Sequence, residues 1–334
     1  MIGRIKKVLK KIIFFNILIA FFSKIKNKFE TLVFIFLIKK YKNLDKKGVI
    51  LELKAAILNS KSYAVAKLGT TEQQILYYDI ILNEPQKKEN LADFEKQLFE
   101  SFTRNAGVFP SSREFILDYA KYFADCSINL DCLGLFYHRR EISILKRYNF
   151  KNNTTFYMNQ EPDRSSPNND LLCYLPFFND KKILIICPFA DFIKERANKE
   201  IFENVWKKTG KKWFYPKIVE SLEFPYGLSY STQKKYENAF NLINAIEEKI
   251  KQIDFDIALI AAGGIAIPLT SYVKSIGKIG ISLGGHLQVL FGVLGGRWRN
   301  NKEWQEKYIN EYWVNVPEKY VPKEGKECEN NCYW

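Results

Sequence analysis

The stretch that decides the fold of this chain covers residues 256–285 and reads DIALIAAGGIAIPLTSYVKSIGKIGISLGG. Two short apolar runs within it, 257–261 and 279–283, have the length of buried strands and are followed by glycines. The residues between them, 265–276, have the length of a helix, with Pro268 in the first turn, where proline is tolerated. A strand, a helix and a second strand in this order predict a βαβ unit with parallel strands.

The same alternation of apolar runs and helical patterns continues towards the N-terminus. Further strands are predicted at residues 63–68, 132–137, 183–187 and 218–224. After Thr232, apolar residues recur every three or four positions, which predicts one face of a helix. These residues are Tyr236, Phe240, Ile243, Ile246 and Ile250. We therefore expect a Rossmann-like α/β fold, in which helices flank a mostly parallel sheet.

Composition and charge divide the chain into three parts. Residues 1–42 contain eleven Lys and Arg residues and a single acid, so they carry +10 of the total net charge of +14. We expect this basic segment to precede a Rossmann-like domain at 43–315 and a C-terminal tail at 316–334. A turn near residue 180 either divides the domain into two halves or is a loop inside it, and residues 163–170 are the clearest predicted loop.

The basic N-terminal segment is also apolar. Its two apolar runs, 12–22 and 32–38, are both shorter than the ~20 residues that a membrane-spanning helix needs. We predict two amphipathic helices that lie on an anionic membrane surface, with lysines at the headgroups. The alternative is a helical hairpin packed on the body or on a partner. A secretory signal is disfavoured, because no small-residue cleavage site follows Phe22.

The rest of the chain excludes several classes of protein. It carries a net charge of only +4, so no nucleic acid is expected as a partner. Six cysteines are too few for a disulfide framework in a chain of this length, which favours a reducing cytoplasm. Together with the basic N-terminal segment, this predicts a peripheral protein on the inner face of the cell membrane. Cys187 is expected to be buried, and no metal site is expected at Cys328 and Cys332.

The predicted strand at 63–68 leads into a candidate ligand-binding turn, Gly69-Thr70-Thr71-Glu72. A helix is expected to begin near Glu72, capped by one of the two threonines. Ligands of open α/β sheets bind beyond the carboxyl ends of strands, where a helix N-terminus favours phosphate. Glu72 is therefore either a candidate catalytic carboxylate or simply a complement to the helix dipole.

Glycine pairs follow both strands of the βαβ unit, at Gly263-Gly264 and at Gly284-Gly285. They are either plain turns or a backbone cradle for a diphosphate, because glycine allows the chain to approach a ligand closely. The spacing differs from the dinucleotide-binding fingerprint. His286 follows the second pair and is a candidate catalytic residue, able to hydrogen-bond a phosphate or a leaving group.

A third glycine pair precedes Arg297 and Trp298. These residues are candidates for clamping a phosphate and stacking on a base, unless Trp298 simply closes the core over the turn. The sequence has no nucleophile elbow, H-E-x-x-H helix, Walker loop or kinase signature, which disfavours the corresponding reaction classes.

Four stretches resemble a known family. Residues 66–72, Ala-Lys-Leu-Gly-Thr-Thr-Glu, are similar to the R-[FY]-G-D-G-E element of GT-D-fold glycosyltransferases, and 256–285 look like that family's C-terminal strand–helix–strand unit. Residues 105–110 and 292–298 are similar to segments of uncharacterised bacterial relatives encoded with surface-polysaccharide genes. The short motifs span most of the chain in matching order, but the N-terminal segment has no counterpart.

The resemblance implies a transferase that uses a nucleotide sugar, of the UDP-sugar class, and a Mn²⁺ or Mg²⁺ ion. The composition of the N-terminal segment, rather than the resemblance, suggests a lipid-linked or protein-linked glycan at the membrane as the acceptor. By position, Gly69 and Glu72 match the family Gly and Glu, whereas Lys67 and Thr70 stand at the family Arg and Asp. Glu72 would then be the metal ligand and the candidate general base. The donor-binding residues expected are Lys67, Gly69, Thr70, Gly263, Gly264, Gly284, Gly285 and Arg297.

The departure at Thr70 matters because a hydroxyl brings no charge to a metal ion, which prefers carboxylate and phosphate oxygens. Metal use therefore stays open. So do two rival functions: a catalytically inactive nucleotide-sugar-binding partner of another transferase, and a membrane-surface scaffold without a ligand.

Overall fold

The computed structural model of this chain describes residues 32–83, 91–162, 173–210, 215–325 and 333–334. Three predictions fall outside these ranges: the structure of the first 31 residues, the loop at 163–170, and the absence of a metal site at Cys328 and Cys332. They stay predictions.

A parallel sheet of eight strands forms the centre of the described structure. The strands are β1 (Asn43–Leu44), β2 (Tyr63–Lys67), β3 (Cys132–Leu135), β4 (Asn153–Phe156), β5 (Lys182–Ile186), β6 (Ile218–Leu222), β7 (Ile257–Ile260) and β8 (Ile279–Ser282). Their order is β1-β4-β3-β2-β8-β7-β5-β6, and every neighbouring pair runs parallel. The predicted α/β fold with a mostly parallel sheet is therefore confirmed.

Helices cover both faces of this sheet. They are α1 (residues 32–38), α2 (Lys46–Leu58), α3 (Thr70–Asn83), α4 (Leu91–Arg104), α5 (Arg113–Ile128), α6 (Arg139–Arg147), α7 (Ala190–Glu195), α8 (Lys199–Asn204), α9 (Tyr230–Tyr236), α10 (Ala239–Ile250), α11 (Ala266–Ser275), α12 (His286–Leu290), α13 (Gly296–Arg299) and α14 (Lys302–Lys307). A small second sheet pairs β9 (Val293–Leu294) with β10 (Val314–Asn315). Among the described residues, no helix is both long enough and apolar enough to cross a membrane.

Alternate side chains along β2, β5 and β7 enter two separate cores. In β7, Ala258 and Ile260 pack into a first core together with α3, α5, α10 and α11. Ile257 and Leu259 of the same strand pack into a second core together with α2, α8 and α12. Because helices cover both faces, the strand is apolar at every position, which explains its uninterrupted apolar sequence.

The sheet changes its winding direction between β2 and β8. Val65 of β2 pairs with Cys132 of β3 on one side and with Ile281 of β8 on the other. After β2 the chain enters α3 on the first core, whereas after β8 it enters α12 on the second core. Neighbouring strands that send their chains to opposite faces leave a crevice at their carboxyl ends.

Strands on both sides of residue 180 belong to this one sheet, because β1 to β4 precede that residue and β5 to β8 follow it. Two residues from the segment predicted as a C-terminal tail, Val316 and Trp334, pack into the second core. The tail therefore contributes apolar side chains to the same structure.

The start of α3 differs from the prediction. The helix begins at Thr70, so Thr70 and Thr71 lie inside it and the predicted threonine cap is wrong. Similarly, β3 ends at Leu135 rather than at residue 137. Tyr137 has a φ of 66°, which no strand residue adopts.

The apolar period after Thr232 belongs to two helices rather than one. The chain leaves the helical conformation at Glu237, whose φ is 64°. Asn238 then caps α10, because its side chain accepts a hydrogen bond from the N–H of Asn241 at 3.0 Å. The helical conformation is interrupted at polar residues that lie between apolar positions. The spacing of the apolar residues therefore does not predict the interruption.

Helix α1 is the described end of the basic N-terminal segment. Phe34 and Ile38 are buried in the first core, and Phe34 stacks on Tyr137 with ring centroids 4.7 Å apart. On the other side, Leu32 and Phe36 are 65% and 71% exposed. This stretch therefore packs on the body along one face and presents apolar side chains to solvent along the other.

Candidate functional site

A cavity of about 430 Å³ opens at the carboxyl edge of the main sheet. Residues that end or follow its strands line the cavity, including Lys67, Phe136, Tyr157, Cys187, Ala261 and Ser282. The cavity spans the point between β2 and β8 where the winding direction changes, which is where open α/β sheets bind ligands. Its volume is typical of small-molecule sites.

The structure brings most of the predicted site residues to this cavity. Those that line it are Lys67, Gly69, Thr70, Glu72, Gly263, Gly284, Gly285 and Arg297. Gly264 and His286 do not line it, although both lie beside residues that do. The motifs singled out in the sequence, far apart along the chain, thus converge on one place.

Glu72 lies in the first turn of α3, with its carboxylate folded back over Gly69. A Cβ on Gly69 would overlap the Oε2 atom of Glu72 and lie 2.9 Å from its Cδ atom. A side chain at position 69 would therefore displace the Glu72 carboxylate from this place. The half-buried carboxylate complements the positive end of the helix, as the simpler interpretation of Glu72 expects, and it also lines the cavity.

The first glycine pair of the βαβ unit packs against the loop between α4 and α5. The N–H of Gly264 donates to the carbonyl oxygen of Ala106 at 2.8 Å, and Gly263 adopts a φ of 51°. A Cβ on Gly263 would lie 2.9 Å from the same oxygen. The hydroxyl of Tyr119 donates to the carbonyl oxygen of Gly264 at 2.9 Å. Packing between these two loops accounts for both glycines.

The second glycine pair packs against a tryptophan and leaves room for a ligand on its other side. A Cβ on Gly285 would lie 2.8 Å from the Cη2 atom of Trp298, which is itself buried in the second core. Gly284 adopts a φ of 53°, and a Cβ there would lie 3.7 Å from the Cε atom of Lys67. Trp298 therefore closes the core over this turn, as one interpretation of it expects.

Glu161, which sequence reasoning missed, joins two of the predicted residues. Its Oε1 atom accepts hydrogen bonds from Lys67 Nζ at 2.7 Å and from His286 Nδ1 at 2.9 Å. The Glu161 side chain is 6% exposed, compared with 21% for Lys67 and 31% for His286. Burial raises the pKa of Glu161, but the hydrogen bonds from His286 and Lys67 and the positive charge of Lys67 outweigh this effect and lower it overall.

Aromatic rings form two parts of the cavity wall. Phe136 and Tyr157, which follow β3 and β4, stack with centroids 4.2 Å apart, and Lys67 Nζ lies 5.5 Å from the Tyr157 ring centre. Tyr226 and Trp334 line the wall elsewhere, with centroids 5.3 Å apart. Planar apolar faces of this kind suit a nucleobase or the apolar face of a sugar.

Arg297 adds a second cation to the lining. Its guanidinium group lies 5.7 Å from the ring centre of Trp298 and 5.6 Å from that of Tyr333. Stacking on aromatic rings fixes the plane of a guanidinium group, which can then present its donors to a phosphate.

The candidate oxygen ligands for a divalent ion lie at the start of α3. Glu72 supplies one carboxylate, and the exposed Thr70 supplies a hydroxyl. Within the described residues, no group of three or more His, Cys, Asp or Glu is arranged to hold a metal. Mg²⁺ often uses one or two carboxylates together with phosphate and water oxygens, so an ion here would take most of its ligands from a bound diphosphate and water.

Comparison with known family models, curated proteins and solved structures finds no match to this chain. The likeness to GT-D-fold glycosyltransferases therefore rests on the motifs quoted above. The proposed function therefore rests on the residues that line the cavity.

Proposed function

We propose that this chain is a glycosyltransferase that takes its sugar from a UDP-sugar donor. The observation that carries the proposal is the cavity at the carboxyl edge of the sheet, where the first turn of α3, two glycine turns, Lys67 and Arg297 meet stacked aromatic rings. A sugar nucleotide combines a planar base, a diphosphate and a sugar ring. Aromatic faces, cations and backbone N–H groups are the partners that these parts require.

Glycosyl transfer needs stabilisation of the charge that develops on the departing diphosphate. Lys67 and Arg297 supply cationic donors, and the N-terminus of α3 supplies the positive end of a 14-residue helix. A Mn²⁺ or Mg²⁺ ion at Glu72 is the alternative source of positive charge, as the family resemblance implies. The dependence of UDP binding on Mn²⁺ separates these two arrangements.

The acceptor in this proposal is a lipid-linked or protein-linked glycan at the inner face of the cell membrane, in surface-polysaccharide assembly. Support comes from the N-terminal segment, whose net charge is +10, and from the exposed Leu32 and Phe36 of α1. Apolar side chains next to lysines are the combination that binds an anionic bilayer surface.

The second candidate is a catalytically inactive partner that binds a nucleotide sugar for another transferase. It is favoured by Thr70, which stands at the position of the family Asp and is exposed at the start of α3. A membrane-surface scaffold without a ligand is the third candidate. It would leave the cavity without a nucleotide partner.

Calorimetric titration of the full-length chain tests the proposal. UDP and several UDP-sugars are added with and without Mn²⁺, to wild type and to Glu72→Gln. Glu114→Gln is the matched control, because Glu114 also lies in the first turn of a long helix but does not line the cavity. We expect UDP to bind wild type and the control equally. Complete lack of binding would favour the scaffold.

A further inference from the structure

A single buried carboxylate oxygen links the two strands at the centre of the candidate site. Glu161 Oε1 accepts from Lys67, at the end of β2, and from His286, which follows β8. Neither donor is as deeply buried as the acceptor. An acceptor that is fixed in this way determines where its donors point.

The contact with Glu161 fixes the chemistry of the His286 ring. Because a carboxylate only accepts, the Nδ1 atom of His286 must carry a proton at 2.9 Å from Glu161 Oε1. In the neutral ring the lone pair then resides on Nε2. Among the described residues, Nε2 has no hydrogen-bond partner, and the side chain is 31% exposed. Residues on both sides of it, Gly285 and Leu287, line the cavity.

The other candidate base is held differently. The carboxylate of Glu72 folds back over Gly69 at the start of α3, where the positive end of the helix stabilises its charged form. In the His286 ring, by contrast, the contact of Nδ1 with Glu161 leaves the lone pair of Nε2 to accept a proton.

We infer that Nε2 of His286 is the general base for the acceptor hydroxyl and that Glu161 is the residue that positions it. This inference rests on the proposed glycosyl transfer and adds the base, its orienting partner and the stereochemistry. Lys67 belongs to the same unit, because its hydrogen bond to Glu161 keeps that carboxylate ionised and able to accept from Nδ1.

The step balances without a further reactant. Nε2 takes the proton of the acceptor hydroxyl as the acceptor oxygen forms a bond to the anomeric carbon. The bond from that carbon to the diphosphate oxygen breaks, and its electron pair leaves with UDP. The imidazolium later returns the proton to solvent. One displacement of this kind inverts the anomeric configuration.

Nitrogen NMR of the histidine rings tests the positioning step without any nucleotide. The chain has two histidines, so His138→Gln assigns both signals in the full-length protein. We expect His286 to show the tautomer with the proton on Nδ1. In Glu161→Gln we expect both tautomers, because an amide can either accept from Nδ1 or donate to it. A proton on Nε2 in neutral wild-type His286 would overturn the inference.

Turnover tests the catalytic step. Release of UDP from UDP-glucose, UDP-galactose and UDP-N-acetylglucosamine is measured with water as the acceptor, for wild type, His286→Gln and Glu161→Gln. Loss of a general base lowers kcat by about 10²- to 10⁴-fold. We expect His286→Gln to fall in that range while it binds UDP as well as wild type does, and Glu161→Gln to lose about 10-fold or more. His138→Gln is the control and keeps wild-type turnover.

The outcomes separate the inference from the proposed function. Wild-type turnover that persists in His286→Gln overturns the base assignment and leaves the glycosyltransferase proposal standing. In His286→Gln, turnover that falls together with UDP affinity also overturns it, because a positioned base acts on kcat and not on nucleotide binding. No turnover of any UDP-sugar by wild type overturns the transfer step in both proposals, whatever tautomer His286 adopts.

Discussion

The carbonyl oxygen of Gly107 lies so close to the backbone of Gly227 that no side chain fits between them. A Cβ on Gly227 would overlap this oxygen and lie 2.8 Å from the carbonyl carbon of Gly107. Both residues line the cavity, one from the loop after α4 and the other from the loop after β6. This contact joins two walls of the cavity that are 120 residues apart in the sequence.

Gly227→Ala should therefore disturb both stability and the site. The backbone of Gly107 cannot move away from the added Cβ as easily as a flexible side chain could. We therefore expect the free energy of unfolding to fall by about 2–3 kcal/mol. UDP affinity should fall at the same time, because the walls move apart. Gly210→Ala is the control: no atom of the described residues lies within 4 Å of its Cβ position, and its φ of 67° costs about 1 kcal/mol of stability. Urea unfolding and calorimetry measure the two effects, and equal UDP affinity in both variants would contradict this account.

Glu141 gives the chain a specific dependence of stability on pH. Its fully buried carboxylate accepts hydrogen bonds from Gln73 Nε2 at 2.9 Å, from the N–H of Phe136 at 2.9 Å and from the N–H of His138 at 2.8 Å. Burial raises its pKa to about 7, although the backbone hydrogen bonds oppose the shift. Because the folded protein keeps this proton to a higher pH than the unfolded chain does, stability falls as pH rises from about 4.5 to 7.

Comparison with Glu141→Gln should isolate this effect. Between pH 5 and pH 8, wild type should lose about 3 kcal/mol more stability than the variant, which has no proton to release. Glu247, whose pKa burial also raises to about 7, leaves a pH dependence in both proteins. Urea unfolding at several pH values measures the difference. Parallel pH curves for the two proteins would show that Glu141 ionises normally, and the exposed Glu114→Gln is the control.

Thr70→Asp should increase the dependence of UDP binding on Mn²⁺. The substitution places a second carboxylate near Glu72 at the start of α3, which restores the two acids of the family motif. We expect Mn²⁺ to strengthen UDP binding to the variant by at least about 10-fold more than to wild type, since each added carboxylate strengthens divalent-cation binding. Ser112→Asp, at the start of α5, is the control for adding an acid to a helix N-terminus.

Turnover of the Thr70→Asp variant separates the two leading functions. A silent wild type and an active, Mn²⁺-dependent variant would favour the inactive nucleotide-sugar-binding partner. A wild type that already turns over UDP-sugars would contradict that candidate. Unchanged Mn²⁺ dependence in the variant would show that the start of α3 is not a metal site.

The sequence predicts the parts of this molecule that depend on local pattern. The strands of the βαβ unit and the glycine turns after them follow from apolar runs of fixed length and from the freedom of glycine. The place where Lys67, Gly263 and Gly284 meet follows from the rule that parallel strands end at one edge. No knowledge of side-chain contacts is needed for either.

Other features of the site depend on long-range packing, which local pattern does not encode. Glu161 lies 94 residues from Lys67 and follows no strand or glycine signal, so only the folded sheet brings the two together. The requirement for glycine at 263 also comes from a distant residue, Ala106, rather than from a ligand. Similarly, the burial of Phe34 depends on Tyr137, although its own segment is basic.

The exposed face of α1 should contribute to membrane binding. Replacing Leu32 and Phe36 together by serine removes two apolar side chains that are 65% and 71% exposed, without disturbing the buried Phe34. Full burial of such side chains is worth about 1.5–3 kcal/mol each, so partial insertion predicts a loss of at least about 10-fold in affinity for vesicles. Co-sedimentation with phosphatidylserine-containing vesicles measures this loss. Leu58→Ser is the control, because Leu58 is also 71% exposed but lies at the end of α2. Equal binding by wild type and the double variant would show that α1 serves only to pack on the body of the protein.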